Sequence, residues 1–177
     1  MIVLTGTDGF IGRNVLEMFK QKTSKKIMTV DFGSEVSPFD FLRKLTAGYY
    51  GNEIDTIIHN GACSDTTCSN AAYMMKHNFE YSIVLFKECL KRNIRLIYAS
   101  SASVYGDGPF SEDSIGKPKN LYATSKSLFD AYCLSFDSNT VGMRYFNVYG
   151  KYEEKKDHMA SVVYKFFNQM KNGSIKL

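Results

Sequence analysis

Thr5-Gly6-Thr7-Asp8-Gly9-Phe10-Ile11-Gly12 is the stretch on which the reading of this chain turns. It follows an apolar run of strand length, residues 2–5, and opens onto residues 11–22, whose apolar positions recur at helical spacing. The glycines are spaced G-x-x-G-x-x-G. Gly6 lets the backbone turn sharply out of a strand. Gly9 lets a pyrophosphate approach a helix N-terminus, and Gly12 lets that helix pack close to the strand. A glycine pattern alone says little, but between a strand and a helix it predicts a dinucleotide-binding turn. Gly6, Gly9, Phe10, Ile11 and Gly12 are its expected cofactor contacts. Asp8, whose charge opposes that of the phosphates, is expected to point away.

Working outward, apolar runs at 26–31, 54–59, 95–100 and 141–145 read as further strands. They are nearly continuous in apolar residues, as strands covered on both faces are. Helical patterns occupy 38–49, 71–92, 121–136 and 159–171. Ser37 before Pro38 supplies an N-cap with proline at the first helical position, and Asn172-Gly173 supplies a stop. The alternation predicts an α/β fold, a Rossmann-type doubly wound parallel sheet with helices on both faces. Residues 1–171 form this domain. Residues 174–177 read as another strand opening, so 172–177 begins a second lobe. The chain is therefore expected to be truncated, its substrate lobe largely missing, and inactive and poorly soluble alone.

Composition bounds the function. The 177 residues are 44% hydrophobic and 23% charged, enough for one soluble core. No apolar run approaches the roughly 20 residues of a membrane span, and residues 1–5 lack the charged start and small-residue cleavage site of a signal peptide. The net charge of +4 is spread over isolated pairs, Lys25-Lys26, Lys91-Arg92 and Lys155-Lys156, which make no nucleic-acid footprint. The four cysteines lack metal-ligand spacing and are expected reduced, in a cytoplasmic protein. The three histidines suggest neither a metal site nor a nucleophilic triad.

Chemistry gathers at strand ends. Asp31 closes the second strand, where an acidic residue meets the adenosine ribose and repels a 2′-phosphate, favouring NAD; the lesser alternative is a helix-capping aspartate. The fourth strand runs into Ser100-Ser101-Ala102-Ser103, where ligands of open parallel sheets sit. Tyr122-Ala123-Thr124-Ser125-Lys126 then opens a helix, with Tyr122 and Lys126 on one face. A phenol of pKa about 10 must fall by about 3 units, roughly 4 kcal/mol, to act as a base at neutral pH. A neighbouring lysine and an oxidised nicotinamide act in that direction.

Together, Thr5–Gly12, Asn60-Gly61-Ala62, Ser100-Ser101-Ala102, Tyr122–Lys126 and the 144–150 stretch, Arg144 to Gly150, resemble the extended short-chain dehydrogenase/reductase family. Residues 61–67, Tyr73-Met74-Met75 and Met159-Ala160-Ser161-Val162 narrow the resemblance to its branch of ADP-heptose 6-epimerases of lipopolysaccharide synthesis. The resemblance implies that NADP or NAD takes a hydride from a sugar carbon and returns it to the other face. It assigns Tyr122 and Lys156 as acid–base groups on opposite faces, with Lys155 competing for the second role. It assigns Lys126 to the nicotinamide ribose, and Ser101 to the reacting oxygen. Further cofactor contacts fall at Asp31, Phe32, Asn60, Gly61, Ala62, Cys63, Ser64 and Asn78. Substrate contacts fall at Ser101, Asn147, Val148 and His158.

The chain departs from that branch between Asp31 and His59, where it is shorter and lacks basic residues to grip a 2′-phosphate. A nucleotide sugar is the expected substrate and a homo-oligomer the expected full-length state. The competing readings are a UDP-hexose 4-epimerase and a non-catalytic dinucleotide-binding fragment. A 4,6-dehydratase fits less, because Ala102-Ser103 stands where that branch has an acidic pair.

Overall fold

A computed structural model of the chain describes residues 1–114, 116–171 and 173. Five strands, β1 (Ile2–Thr5), β2 (Ile27–Val30), β3 (Thr56–His59), β4 (Arg95–Ser101) and β5 (Thr140–Tyr145), make one sheet in the order β2-β1-β3-β4-β5. Every pairing is parallel, so each strand must be joined to the next by a crossover. Helices α1 (Phe10–Lys22) and α2 (Pro38–Thr46) fill the first two. Between β3 and β4, α3 (Ala71–Met75) continues through a π-helical turn (Lys76–Glu80) into α4 (Tyr81–Arg92). Helix α5 (Leu121–Leu134) precedes β5, and α6 (Val162–Lys171) follows it.

The chain winds outward from β1 to β2, then returns to β3 on the other side of β1. This places the topological switch point at the carboxyl ends of β1 and β3. One helix alone links β2 to β3, so the sheet ends at β2, one strand short of the larger 3-2-1-4-5-6 arrangement. The brevity of the 31–59 stretch accounts for this.

The two faces of the sheet differ. Among the described residues, fifteen buried apolar side chains, including Val3, Phe41, Leu85, Phe86, Leu96 and Phe129, gather under α2, α4 and α5. Three, Ile2, Leu4 and Ile58, gather on the other face, under Val15, Leu16 and Phe19 of α1. Helix α6 has no buried residue among those described.

Element ends follow from local chemistry. Ser37 Oγ accepts from Asp40 N (3.3 Å) with Pro38 at the first helical position, and Asn120 Oδ1 accepts from Ala123 N (2.8 Å) at the start of α5. The helix expected over 38–49 stops at Thr46 because the chain turns through Gly48 at φ +75°. The one expected over 159–171 starts at Val162, after a 3₁₀ segment, Glu153–Met159. Asn172 and the strand expected over 174–177, and with them the lobe boundary, lie outside the described residues. No helix among those described is long and apolar enough to cross a membrane.

Candidate active site

A cleft of about 1290 Å³ opens at the carboxyl ends of the strands. Its walls take in the glycine turn, Asp31 and Phe32, Asn60 to Ser64, Ser101, Tyr122, Lys126, Asn147 and Val148, and both Lys155 and Lys156. Register explains the convergence: β1 and β3 end level, with Thr5 opposite His59 and His59 opposite Tyr98, and β4 and β5 run on together to Ser101 and Tyr145, which carries Ser101 past the glycine turn as a wall of the cleft.

The glycine turn is shaped for a ligand backbone. Gly6 sits at φ +74°, and a Cβ there would lie 2.5 Å from Gly61 N. A Cβ on Gly12 would lie 2.0 Å from Gly6 O, so α1 packs at this distance only through glycine. Gly9 meets nothing nearer than 3.4 Å on that side. It caps α1 without a side-chain hydrogen bond, and no acidic residue occupies the first turn. The leading N–H groups of the helix therefore face the cleft with the positive end of the helix dipole, an anion site by construction. The carboxylate of Asp8 is turned to the β2 loop, where Oδ2 accepts from Gly33 N (3.0 Å), while Asp8 N donates to Asp31 Oδ2 (2.8 Å). The side-chain nitrogen of Asn60 is buried on the cleft wall without a protein partner. An orphaned donor, an uncapped helix and two glycines with no room for a side chain fit a dinucleotide.

A buried chain of hydrogen bonds ties this turn to α4. Gly61 N donates to Thr5 Oγ1 (3.1 Å), and Thr5 Oγ1 lies 2.7 Å from His59 Nδ1. His59 Nε2 lies 3.1 Å from Ser82 Oγ, which donates to Asn78 O (2.7 Å). Because the Ser82 proton goes to a carbonyl, Ser82 accepts from His59, which fixes the proton on Nε2 and leaves Nδ1 to accept from Thr5. Burial, then the nearby Lys126, pushes the imidazole down to about 3, so His59 stays neutral.

At the other end of the cleft, Tyr122 and Lys126 share a face of α5, and Lys126 Nζ is 5.8 Å from the Tyr122 ring centroid. Lys126 is 7% exposed and donates to Ala99 O (2.9 Å). Burial pushes its ammonium down to about 8, with Asp130 the foremost group acting the other way. The part of the expected activation assigned to Lys126 does not come from this arrangement. Burial pushes Tyr122 up, and the group that pulls it down is Ser101, through a hydrogen bond, rather than Lys126. The ammonium is turned toward β4 instead. Ser101 Oγ also accepts from Ser103 N (3.2 Å), which holds it at the end of β4.

Two expected contacts stand off the cleft wall. Asn78 is 1% exposed: its Oδ1 accepts from Cys63 N (2.8 Å) and its Nδ2 donates to Cys63 O (2.9 Å) and Ser125 Oγ (3.1 Å). It braces the Ala62-Cys63-Ser64 loop from behind, and the π-helical turn, one residue wider than an α turn, carries it there. His158 is exposed and does not line the cleft. Lys156 is half-buried, with Nζ 5.5 Å from the Phe10 ring centroid at the start of α1, whereas Lys155 is exposed. The loop carrying both is anchored by Glu153, fully buried, whose carboxylate accepts from Gly150 N (3.1 Å) and Ser161 N (2.5 Å). Sequence reasoning passed over Glu153, Thr5 and Asp130. Asp130 carried a signal, since it repeats the Tyr122–Lys126 interval one step further along the same helix face.

Residues 2–177 match the model of the NAD dependent epimerase/dehydratase family. The chain belongs to that family. It is 41% identical, over 198 aligned positions and 98% of its length, to an ADP-L-glycero-D-manno-heptose-6-epimerase of Brachyspira hyodysenteriae, covering 62% of that protein. The solved ADP-L-glycero-D-manno-heptose-6-epimerase of Helicobacter pylori is 32% identical with a TM-score of 0.81, over 93% of this chain and 61% of that one. MoeE5, solved with UDP-glucose and NAD, is 26% identical with a TM-score of 0.71, over 84% and 55%. The chain thus spans about three fifths of the length of the relatives it matches. The family match extends over the glycine turn and the Tyr122–Lys126 helix alike.

Proposed function

We propose that this chain is the cofactor-holding part of a nucleotide-sugar epimerase acting at C6 of ADP-glycero-manno-heptose. One observation carries the reading: a turn built for a pyrophosphate and the Ser101, Tyr122 and Lys126 side chains line the same cleft. The 41% identity to a heptose 6-epimerase supports the choice of sugar. A bound nicotinamide supplies the hydride acceptor and donor. The helix N-terminus at Gly9, Phe10 and Ile11 holds the pyrophosphate, Asp31 the adenosine ribose and Lys126 the nicotinamide ribose. Ser101 and Tyr122 hold the reacting sugar oxygen, and Tyr122 moves its proton. Lys156 serves the opposite face, and Asn147 and Val148 hold the sugar.

Asp31 makes NAD bind at least as well as NADP. Its carboxylate repels a 2′-phosphate, and none of residues 32–41 is basic to offset that. Both cofactors titrated into the protein by calorimetry decide the point, and a clear NADP preference overturns it. The full-length enzyme is read as a cytoplasmic homo-oligomer, in keeping with four free cysteines and with Val84, Leu128 and Leu134 exposed on α4 and α5.

The test is incubation of the full-length protein with ADP-heptoses and UDP-hexoses, followed by NMR. Inversion at heptose C6 is the expected result. Inversion at C4 of a UDP-hexose assigns the other epimerase class, and cofactor binding with no turnover of either sugar overturns the catalytic reading.

A further inference from the structure

The buried ammonium of Lys126 is held beside a second buried charge that the proposed reaction does not use. Asp130 lies one helical turn beyond Lys126 on α5 and is 6% exposed. Three donors from two strands converge on its carboxylate. Tyr98 OH donates to Oδ1 (2.9 Å) and Ser100 Oγ to Oδ2 (2.8 Å), both from β4, and Arg144 Nε donates to Oδ2 (3.2 Å) from β5. The space is prepared for this arrangement. A Cβ on Gly142 would lie 2.5 Å from the Tyr98 hydroxyl, so glycine at this place in β5 lets the phenol reach Asp130. Arg144 is itself held over the Tyr105 ring, 4.8 Å from its centroid.

We propose that Asp130 is a positioning residue for Lys126, a fixed counter-charge that keeps the buried ammonium protonated and ready for the cofactor side of the cleft. Isolated ammonium groups in such surroundings give up their proton. The groups facing Lys126 are few. Tyr122 and Asp130 share its helix, Cys63 reaches it from the loop after β3, and neutral His59 stands at the end of β3. Burial holds the Cys63 thiol up, in its neutral form, and burial does the same to the Tyr122 phenol. Asp130 is then the one anion among these four facing groups. Three donors meet its carboxylate oxygens, and one of them, Arg144, is a cation whose charge opposes that of the carboxylate at Lys126. Only the use of that charge in turnover rests on the epimerase reading; the charge itself does not.

The Lys126 Cε resonance of ¹³C-lysine-labelled protein, assigned by its loss in Lys126→Met, reads the titration directly and needs no substrate. Asp130→Asn is expected to move the midpoint down by roughly a unit or more, and Asp130→Glu to return part of the shift. Arg144→Met, which removes the tempering cation, is expected to move it up. A purely structural role predicts lost stability in both variants and no opposed shifts. Midpoints that stay put, or move in the same direction, overturn the proposal. Should Asp130→Asn fail to fold, Arg144→Met decides alone: an upward shift supports the proposal and its absence overturns it.

Discussion

The two faces of this sheet are built from similar strands yet finished differently. Under α2, α4 and α5, residues such as Val3, Phe41, Ile57 and Leu85 are fully enclosed. On the face that α1 shares, enclosure stops at Ile58, and toward β5 the side chains open to solvent, with Val141 38% and Met143 44% exposed. The register assigns these positions. Tyr98 pairs with Gly142 and Ser100 with Arg144 on the packed side, leaving Ile97, Val141 and Met143 together on the other. The packed face carries the stability, and the site is suspended from it. His59, Lys126 and Asp130 all lie between the sheet and the α4–α5 layer, while the glycine turn and α1 reach across to the thinner side.

The sharpest way to break this contrast is a truncation on each side. Phe41→Ala empties a fully buried position of α2 and is expected to cost about 3–5 kcal/mol, a large fraction of the stability of a domain this size. Phe19→Ala, at a half-buried position of α1, is expected to cost less than half as much. Urea unfolding monitored by circular dichroism gives both numbers, and equal losses would mean that the two faces share the load.

How much of this was legible in the sequence depends on how local the cause was. The glycine turn was readable because Gly6 and Gly12 answer to contacts within one strand–turn–helix unit. Tyr122 and Lys126 were readable because their interval fixes a shared helix face. Asn78 was not: the π-helical turn that swings it behind Cys63 leaves no mark in the apolar periodicity of 71–92. Nor was the open face, since a run such as Leu96-Ile97-Tyr98-Ala99 looks the same whether one side is covered or both. The aim of Lys126 at Ala99 O, rather than at Tyr122, depends on β4, which arrives from a distant part of the chain.

A second test uses acid, and its sign follows from linkage. His59 has a folded-state pKa of about 3 against an unfolded value near 6.5, so between those values the unfolded chain binds the extra proton. This contribution to stability is complete above pH 6.5 and is lost as pH falls toward 3. Between pH 6.5 and 4 the loss is roughly 3 kcal/mol. Glu17, Asp55 and Glu153, whose carboxyls are held low, lose their contributions further down, below about 4.5. Comparing His59→Gln with the parent in urea melts at pH 7 and pH 5 isolates the histidine. The glutamine variant is expected to be flatter, and an unchanged slope removes His59 as the buried base linking the glycine turn to α4.

Gly12→Ala acts where α1 meets the thin face. The new methyl group would sit 2.0 Å from Gly6 O, a backbone atom that cannot rotate away, so α1 must lift off β1. Overpacking of this kind is expected to cost about 1–3 kcal/mol. Dinucleotide affinity by calorimetry should fall further than stability does, because the displaced helix N-terminus is the anion site itself.

The smallest effect on stability is expected at the open corner. Met143 and Val141 contribute little enclosure, so Met143→Ser should change unfolding free energy by about 0.5 kcal/mol or less. Its consequence lies elsewhere. Val141 and Met143 expose apolar side chains on this corner, and Val162, Val163, Phe167 and Met170 do so along α6, a combination that favours association. Sedimentation velocity across a tenfold concentration range is expected to show self-association of the parent chain, reduced in Met143→Ser combined with Val141→Thr. The same double variant of Val3 and Leu96, on the packed face, should instead unfold the protein. If the exposed-edge variant associates as strongly as the parent, the contact surface lies elsewhere, and Val84, Leu128 and Leu134 on α4 and α5 become the next residues to exchange.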